Sequence, residues 1–264
     1  MCFDLNKPYA VQAYPRKESE QYGRKLYQLI QNEQQYWLKY QQTDELEQYS
    51  QIHIDGWQRE LLFYHKHKDV AYVLPSQMID LAQLRGIDAR GQGMLLPHKN
   101  YYFTSAPQNV CEAQQRIKAV CQVLFQFHAL GYVHGDIKKH HFLADLQGLY
   151  LIDFEHSFYD GTEIVGTHAT PRYMAPELFH GALKTQESDF YALGIVVYEW
   201  LTHKKLFAKD YHDWAVLHCQ CEFYTLPEVY KGLQPILDIM LSKRVEQRKQ
   251  RLQQLKSILN QQIA

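Results

Sequence analysis

The segment Ser188–Thr202, SDFYALGIVVYEWLT, is apolar nearly all round. A helix lying on a protein surface carries one apolar stripe, so a helix with no polar face has to be enclosed. Its strongest run, Phe190–Leu201, is shorter than the roughly 20 residues a bilayer span takes, which leaves enclosure by the chain's own domain. With 264 residues, 46% hydrophobic and 22% charged, the chain is long enough to build one or two ordinary cores around it.

The rest of the composition narrows the function classes. A formal net charge of −1, with no long block of like charge, removes a global electrostatic case for nucleic acid. The first fifteen residues contain Asp4, Lys7 and Pro8 and no apolar run of the secretory kind. Five cysteines (Cys2, Cys111, Cys121, Cys219, Cys221) are an odd number at irregular spacing, which argues against a disulfide framework and for a soluble, cytoplasmic protein. His212, His218, Cys219 and Cys221 include Cys-x-Cys but no second pair, so helix packing accounts for them better than a metal site.

Periodicity divides the chain in two. PYAVQAYP reads as a short strand, and Ser19–Tyr40, with apolar residues at 26, 30, 37 and 40, has helix spacing. Glu33 falls inside that stripe, where a buried carboxylate needs a partner. From Ile52 to Pro97 the runs LLFYH, VAYVL and GMLLP read as strands broken by turns. After Ser105 helices are expected at Ala113–Leu130, Ser188–Thr202 and Leu233–Leu241. Lys243–Ile263 is basic with Leu252, Leu255, Ile258 and Leu259 on one side, as expected of a last packed helix.

Between these helices lies YVHGDIKKHHFLADLQGLYLIDFEHS, residues 132–157, which holds Asp136 and Asp153 seventeen residues apart. HFLAD and LYLID read as a hairpin with its turn at Gln147-Gly148, which would present both aspartates at one edge. One carboxylate that accepts a hydroxyl proton and another that holds a divalent cation are what phosphoryl transfer needs; two exposed turn aspartates are the plain alternative.

These residues resemble the protein kinase superfamily, in the Ser/Thr style, over almost the whole chain. HGDIKKHH looks like the catalytic loop, DFE at 153–155 like the metal-binding DFG, and ATPRYMAPE at 169–177 like the end of an activation segment. The resemblance implies an α+β, two-lobed kinase-like fold. Its shortened β-rich N-lobe would occupy residues 1–97, a hinge-like connector 98–104, and a helical C-lobe 105–264. It further implies ATP with Mg²⁺ or Mn²⁺, Asp136 as base, Lys138 on the γ-phosphate, Thr170 beside the substrate hydroxyl, and Asp153 on the metal. Glu177 would pair with Arg248, and Asp189 and Gly194 match the buried central helix of the fold.

Departures from the family pattern concentrate on nucleotide handling. With YAVQAY taken as the third strand, Gln12 stands where the family has its phosphate-binding lysine, and Glu33 is the helix glutamate that normally pairs with it. Only eight residues precede that strand, and no G-x-G-x-x-G occurs, so Lys7, Lys17 or Lys25 would have to supply the cation. His141 takes the place of the second metal ligand, Asn in the family, and suits Mn²⁺ better than Mg²⁺. Gly135 replaces the arginine of HRD, which weighs against control by loop phosphorylation, and Glu155 replaces the glycine of DFG. A few residues, HGD and HHFL, are also similar to bacterial lipopolysaccharide core kinases. Two functions follow: an ATP-dependent Ser/Thr-type phosphotransferase, or a pseudokinase acting as a binding or regulatory module. The sequence does not identify the substrate, the protein partner or the oligomeric state.

Overall fold

The computed structural model describes residues 3–15, 23–42, 51–162, 170–221 and 224–260. Lys17 and Cys2 lie outside them. The chain forms two compact units: residues 1–100 with 144–155, and residues 101–143 with 156–264. The hairpin segment 144–155, which a linear division of the chain at residues 98–104 assigns to the second half, belongs to the first unit.

The first unit is built on an antiparallel sheet of β1 (Ala10–Ala13), β2 (Arg24–Gln31), β3 (Gln34–Gln41), β4 (Gln77–Asp80) and β5 (Gln92–Pro97), in the order β1-β2-β3-β5-β4. The helix expected over Ser19–Tyr40 is, over its described part, the β2–β3 hairpin. Asn32 and Glu33, at φ 49° and 65°, form its two-residue turn, and the paired positive φ values match the right-handed twist of the strands they join. Tyr36, Leu38 and Tyr40 are buried in strict alternation, which is the strand period. Their match to helix spacing was an accident of four positions across a turn. Gly93 on β5 is required by close approach: a Cβ there would stand 2.7 Å from Leu81 Cδ2 and 2.8 Å from Leu38 Cδ1.

The reverse exchange occurs at LLFYH, expected as a strand and found inside helix α1, Gln51–Lys66. Gly56, Trp57, Glu60, Phe63 and Tyr64 are its buried residues, and that spacing is one helical face. VAYVL forms no extended strand; Val73 makes a single parallel bridge to Leu151. GMLLP is β5 as expected.

The second unit is mainly helical, with α2 (Val110–Ala129), α3 (Gln186–Thr202), α4 (Tyr211–Gln220), α5 (Gln234–Met240) and α6 (Val245–Ile258). Every residue of α3 from Ser188 to Tyr198 is buried. A capping box fixes its start, with Thr185 and Ser188 exchanging side-chain and backbone bonds. Gly194 lets α5 approach, since a Cβ there would lie 2.9 Å from Met240 Cβ. Arg248 of α6 is fully buried, pairs with Glu177, and donates to the carbonyls of Ser242 (2.6 Å) and Glu187 (3.0 Å). His218 is buried, with its ring nearly parallel to those of Phe179 and Trp214, so packing accounts for it. Cys111, Cys121, Cys219 and Cys221 are free. Among the described residues no helix is long and apolar enough to cross a membrane.

Candidate active site

In the first unit the functional residues gather around Lys39. It sits on β3 between the inward-facing Leu38 and Tyr40, in register with Leu26 of β2 and Met94 of β5, so its side chain leaves the opposite face of the sheet. There its Nζ lies 2.7 Å from Glu60 Oε2 and 2.6 Å from Asp153 Oδ1, with Glu155 Oε2 at 3.7 Å. Glu60 comes from the buried face of α1, its side chain 1% exposed.

The charges are mutually dependent. Burial alone would drive the Lys39 ammonium down, but Asp153, Glu60 and Glu155 outweigh it and hold its pKa above the ordinary lysine range. Burial pushes the Glu60 carboxyl up to about 7, although Lys39 pulls it back and Asp153 and Glu155 add to the rise. The ammonium therefore stays charged, with that charge already shared among the carboxylates around it.

The segment that carries Asp153 is anchored on α1. Phe154 stacks on Phe63 with centroids 4.0 Å apart and meets Tyr64 edge-on at 5.3 Å. Arg59 donates to the Glu155 carbonyl from Nε and Nη2, at 3.2 and 3.1 Å. Glu155 Oε2 also pairs at 2.8 Å with Arg24, whose guanidinium lies 4.8 Å from the Trp57 ring centre. Asp153 itself has φ 71°, a left-handed conformation that costs a non-glycine residue of the order of 1–3 kcal/mol and tends to occur at functional sites.

The second unit holds Asp136, Lys138 and Thr170. Lys138 Nζ is 2.8 Å from Asp136 Oδ2, and the Asp136 side chain is 8% exposed. Thr170 lines the same pocket as Asp136, together with Gly135, Tyr173 and Lys184. The loop is tied to α3, because the backbone N–H groups of His134 and Gly135 donate to the two carboxylate oxygens of Asp189 at 2.7 and 2.9 Å. His128 Nε2 stands 2.9 Å from Asp189 Oδ2. His141 is buried in the short turn Lys139–His141, its ring centroid 5.7 Å from that of His134.

Two of the residues expected from sequence are not at a site. Gln12 is exposed on β1, opposite Gln28 of β2, because YAVQAY is the first strand of the sheet and not the third. Glu33 is exposed in the β2–β3 turn and not on a helix. The lysine–glutamate pair exists one strand later, as Lys39 and Glu60. Of the lysines proposed as substitutes, Lys7 faces Asp4 at 3.9 Å on the surface and Lys25 lies on β2. A buried carboxylate on a helix face was the right signal for the pair, and it belonged to Glu60 in WQRELLFY.

Comparison with known proteins covers the later part of the chain. The protein kinase domain profile matches residues 91–262. Serine/threonine-protein kinase PrkC of Bacillus subtilis is 33% identical over 137 residues, 50% of this chain and 21% of the relative. Serine/threonine-protein kinase PknE of Mycobacterium tuberculosis is 32% identical over 133 residues, 47% of this chain and 21% of its own length. Mouse serine/threonine-protein kinase Nek4 is 40% identical over 81 residues, 30% of this chain and 10% of the relative. The matched stretch thus spans about a fifth or less of these curated relatives. The chain belongs to the protein kinase domain family.

Proposed function

We propose that the chain is an ATP-dependent phosphotransferase of the Ser/Thr protein kinase type. The observation that carries this reading is Lys39, ion-paired to Glu60 at 2.7 Å and to Asp153 at 2.6 Å. In this family the strand lysine, its helix glutamate and the metal-binding aspartate must all be in place for transfer. Lys39 would hold nucleotide phosphate oxygens, and Glu60 would keep the lysine pointed at them. In the second unit Asp136 would accept the proton of the substrate hydroxyl while Lys138, 2.8 Å from it, steadies the phosphoryl oxygens. Thr170 would line the hydroxyl's approach.

The donor set fits a hard divalent cation. Carboxylate oxygens of Glu60, Asp153 and Glu155 lie within 4.8 Å of one another, and Mg²⁺ and Mn²⁺ take oxygen ligands. Asp153 would be the principal ligand; His141, expected from the sequence as an atypical second one, lies in the second unit. An ion held at Asp153 would neutralise phosphate charge. We place the activity in the cytoplasm, in keeping with the free cysteines.

A second reading, a kinase fold used as a binding module, has one observation in its favour. Glu155 stands where the family has glycine, and its carboxylate lies 3.7 Å from Lys39, where it competes with phosphate for the lysine.

Transfer of labelled γ-phosphate from ATP, with Mg²⁺ and with Mn²⁺, to the chain itself, to a generic protein acceptor and to a sugar acceptor tests the first reading. The sugar arm covers the similarity to lipopolysaccharide core kinases. Asp136→Asn is expected to lower the rate by about 10²- to 10⁴-fold. Wild-type rates at the Asp136→Asn background with both metals would favour the binding module.

A further inference from the structure

Gly135 stands immediately before Asp136 with φ +74°. A Cβ there would lie 2.9 Å from the His156 carbonyl oxygen, so no side chain at this position can help to hold the loop. Glycine also brings the widest backbone freedom of any residue, at the point where the direction of Asp136 is decided. One edge of the loop is fixed, since Asp189 accepts from the N–H groups of His134 and Gly135. The peptide that joins Gly135 to Asp136 presents its carbonyl elsewhere, and that carbonyl accepts from Lys184 Nζ at 2.7 Å.

Lys184 reaches it from a well-fixed base. It follows the left-handed turn residue Gly181 and immediately precedes Thr185, the N-cap of α3. Its stem lies against the glycine, with Cδ 3.5 Å from the position a Gly135 Cβ would occupy. Burial lowers the Lys184 pKa, Asp136 and Asp189 act to raise it again, and Lys138 opposes them. Lys184 lines one pocket with Asp136, whose loop it holds, and with Asp189, which holds the other edge.

We propose that Lys184 is a positioning residue for Asp136, clamping the Gly135–Asp136 peptide through its carbonyl so that a glycine-containing loop presents a single carboxylate direction. This rests on the reading of Asp136 as the proton acceptor. A charge-assisted hydrogen bond is about twice as strong as a neutral one, and misplacing a reacting group by about 1 Å can cost about 10²-fold in rate. The clamp therefore acts on kcat and leaves nucleotide affinity alone.

The test uses the full chain as wild type, Lys184→Met and Lys184→Arg, with two readouts: kcat and KM for ATP, and backbone amide exchange. Lys184→Met is expected to lower kcat between about ten- and a hundred-fold with KM for ATP unchanged, and Lys184→Arg to restore most of the loss. Exchange at the amides of residues 134–137 should quicken in Lys184→Met while α2 and α3 keep wild-type protection. If the wild type transfers no phosphate but exchange at 134–137 still quickens in Lys184→Met, the clamp stands and the phosphotransferase reading falls. If Lys184→Met leaves both kcat and exchange at 134–137 unchanged, the clamp is overturned.

Discussion

Replacing Lys39 by methionine should destabilise the chain in a way that grows with pH. Glu60 is 1% exposed and 2.7 Å from the ammonium, so removing Lys39 leaves its carboxylate uncompensated, a change that typically costs about 3–5 kcal/mol. A carboxylic acid can escape that cost by keeping its proton. In the wild type Glu60 titrates at about 7, raised by burial against the pull of Lys39. Because this folded-state value lies above the ordinary carboxylate range, the stability linked to its proton is complete at acid pH and is lost as pH rises through 7. Without Lys39 the carboxyl keeps its proton to still higher pH, so the part of the penalty that Glu60 carries is small below pH 7 and grows above it, on top of a pH-independent loss of the pairing with Asp153. Each unit of divergence is about 1.4 kcal/mol, which gives about 3 kcal/mol by pH 9. Urea denaturation of wild type, Lys39→Met and Lys39→Met/Glu60→Gln at pH 6 and pH 9 measures this. The double variant should lack the pH-dependent part. A Lys39→Met penalty equal at the two pH values, or one that Glu60→Gln leaves unchanged, would refute the reasoning.

Two further outcomes concern the second unit. His218 is fully buried, and burial, followed by the charge of Lys243, lowers its pKa to about 4. A histidine held neutral in the fold contributes stability that is present above its unfolded value near 6.5 and lost as pH falls from there towards 4. Urea midpoints should show a loss of up to about 3 kcal/mol across that window, absent in His218→Gln. At Gly194 an added Cβ meets Leu241 Cδ2 at 2.8 Å and Met240 Cβ at 2.9 Å. Gly194→Ala should therefore cost about 1–3 kcal/mol in the same assay; an unchanged midpoint would mean that α5 gives way freely.

The parts legible in the sequence were those where one local signal left no competitor. An all-round apolar run could only become the enclosed α3. The pairing of Glu177 with Arg248 was expected from the family pattern and is present. HFLAD and LYLID gave the strands Phe142–Asp145 and Gly148–Leu151. The N-terminal half is not legible in the sequence because its two signals interfere. Apolar positions 26, 30, 37 and 40 mimic a helix across the β2–β3 turn, whose Asn-Glu pair lacks the glycine that usually marks such a turn. LLFYH looks like a strand because four apolar or aromatic residues run together, although only Phe63 and Tyr64 among them are buried. With those two elements exchanged, Lys39 and Glu60 were invisible as a pair: each lay on an element of the wrong period, and what joins them is tertiary packing of α1 on the sheet. Lys184 carries no local signal, since its role depends on a carbonyl 49 residues away in the chain.

The most direct test of the central claim is thermal unfolding of the full chain with millimolar ATP plus Mg²⁺ and, separately, ATP plus Mn²⁺, on wild type and on Asp153→Asn. Ligand at 100 times its Kd stabilises the folded state by about 2.7 kcal/mol. The account expects a metal-dependent rise in melting temperature in the wild type that disappears in Asp153→Asn. A wild type whose melting temperature does not move with either metal would contradict it.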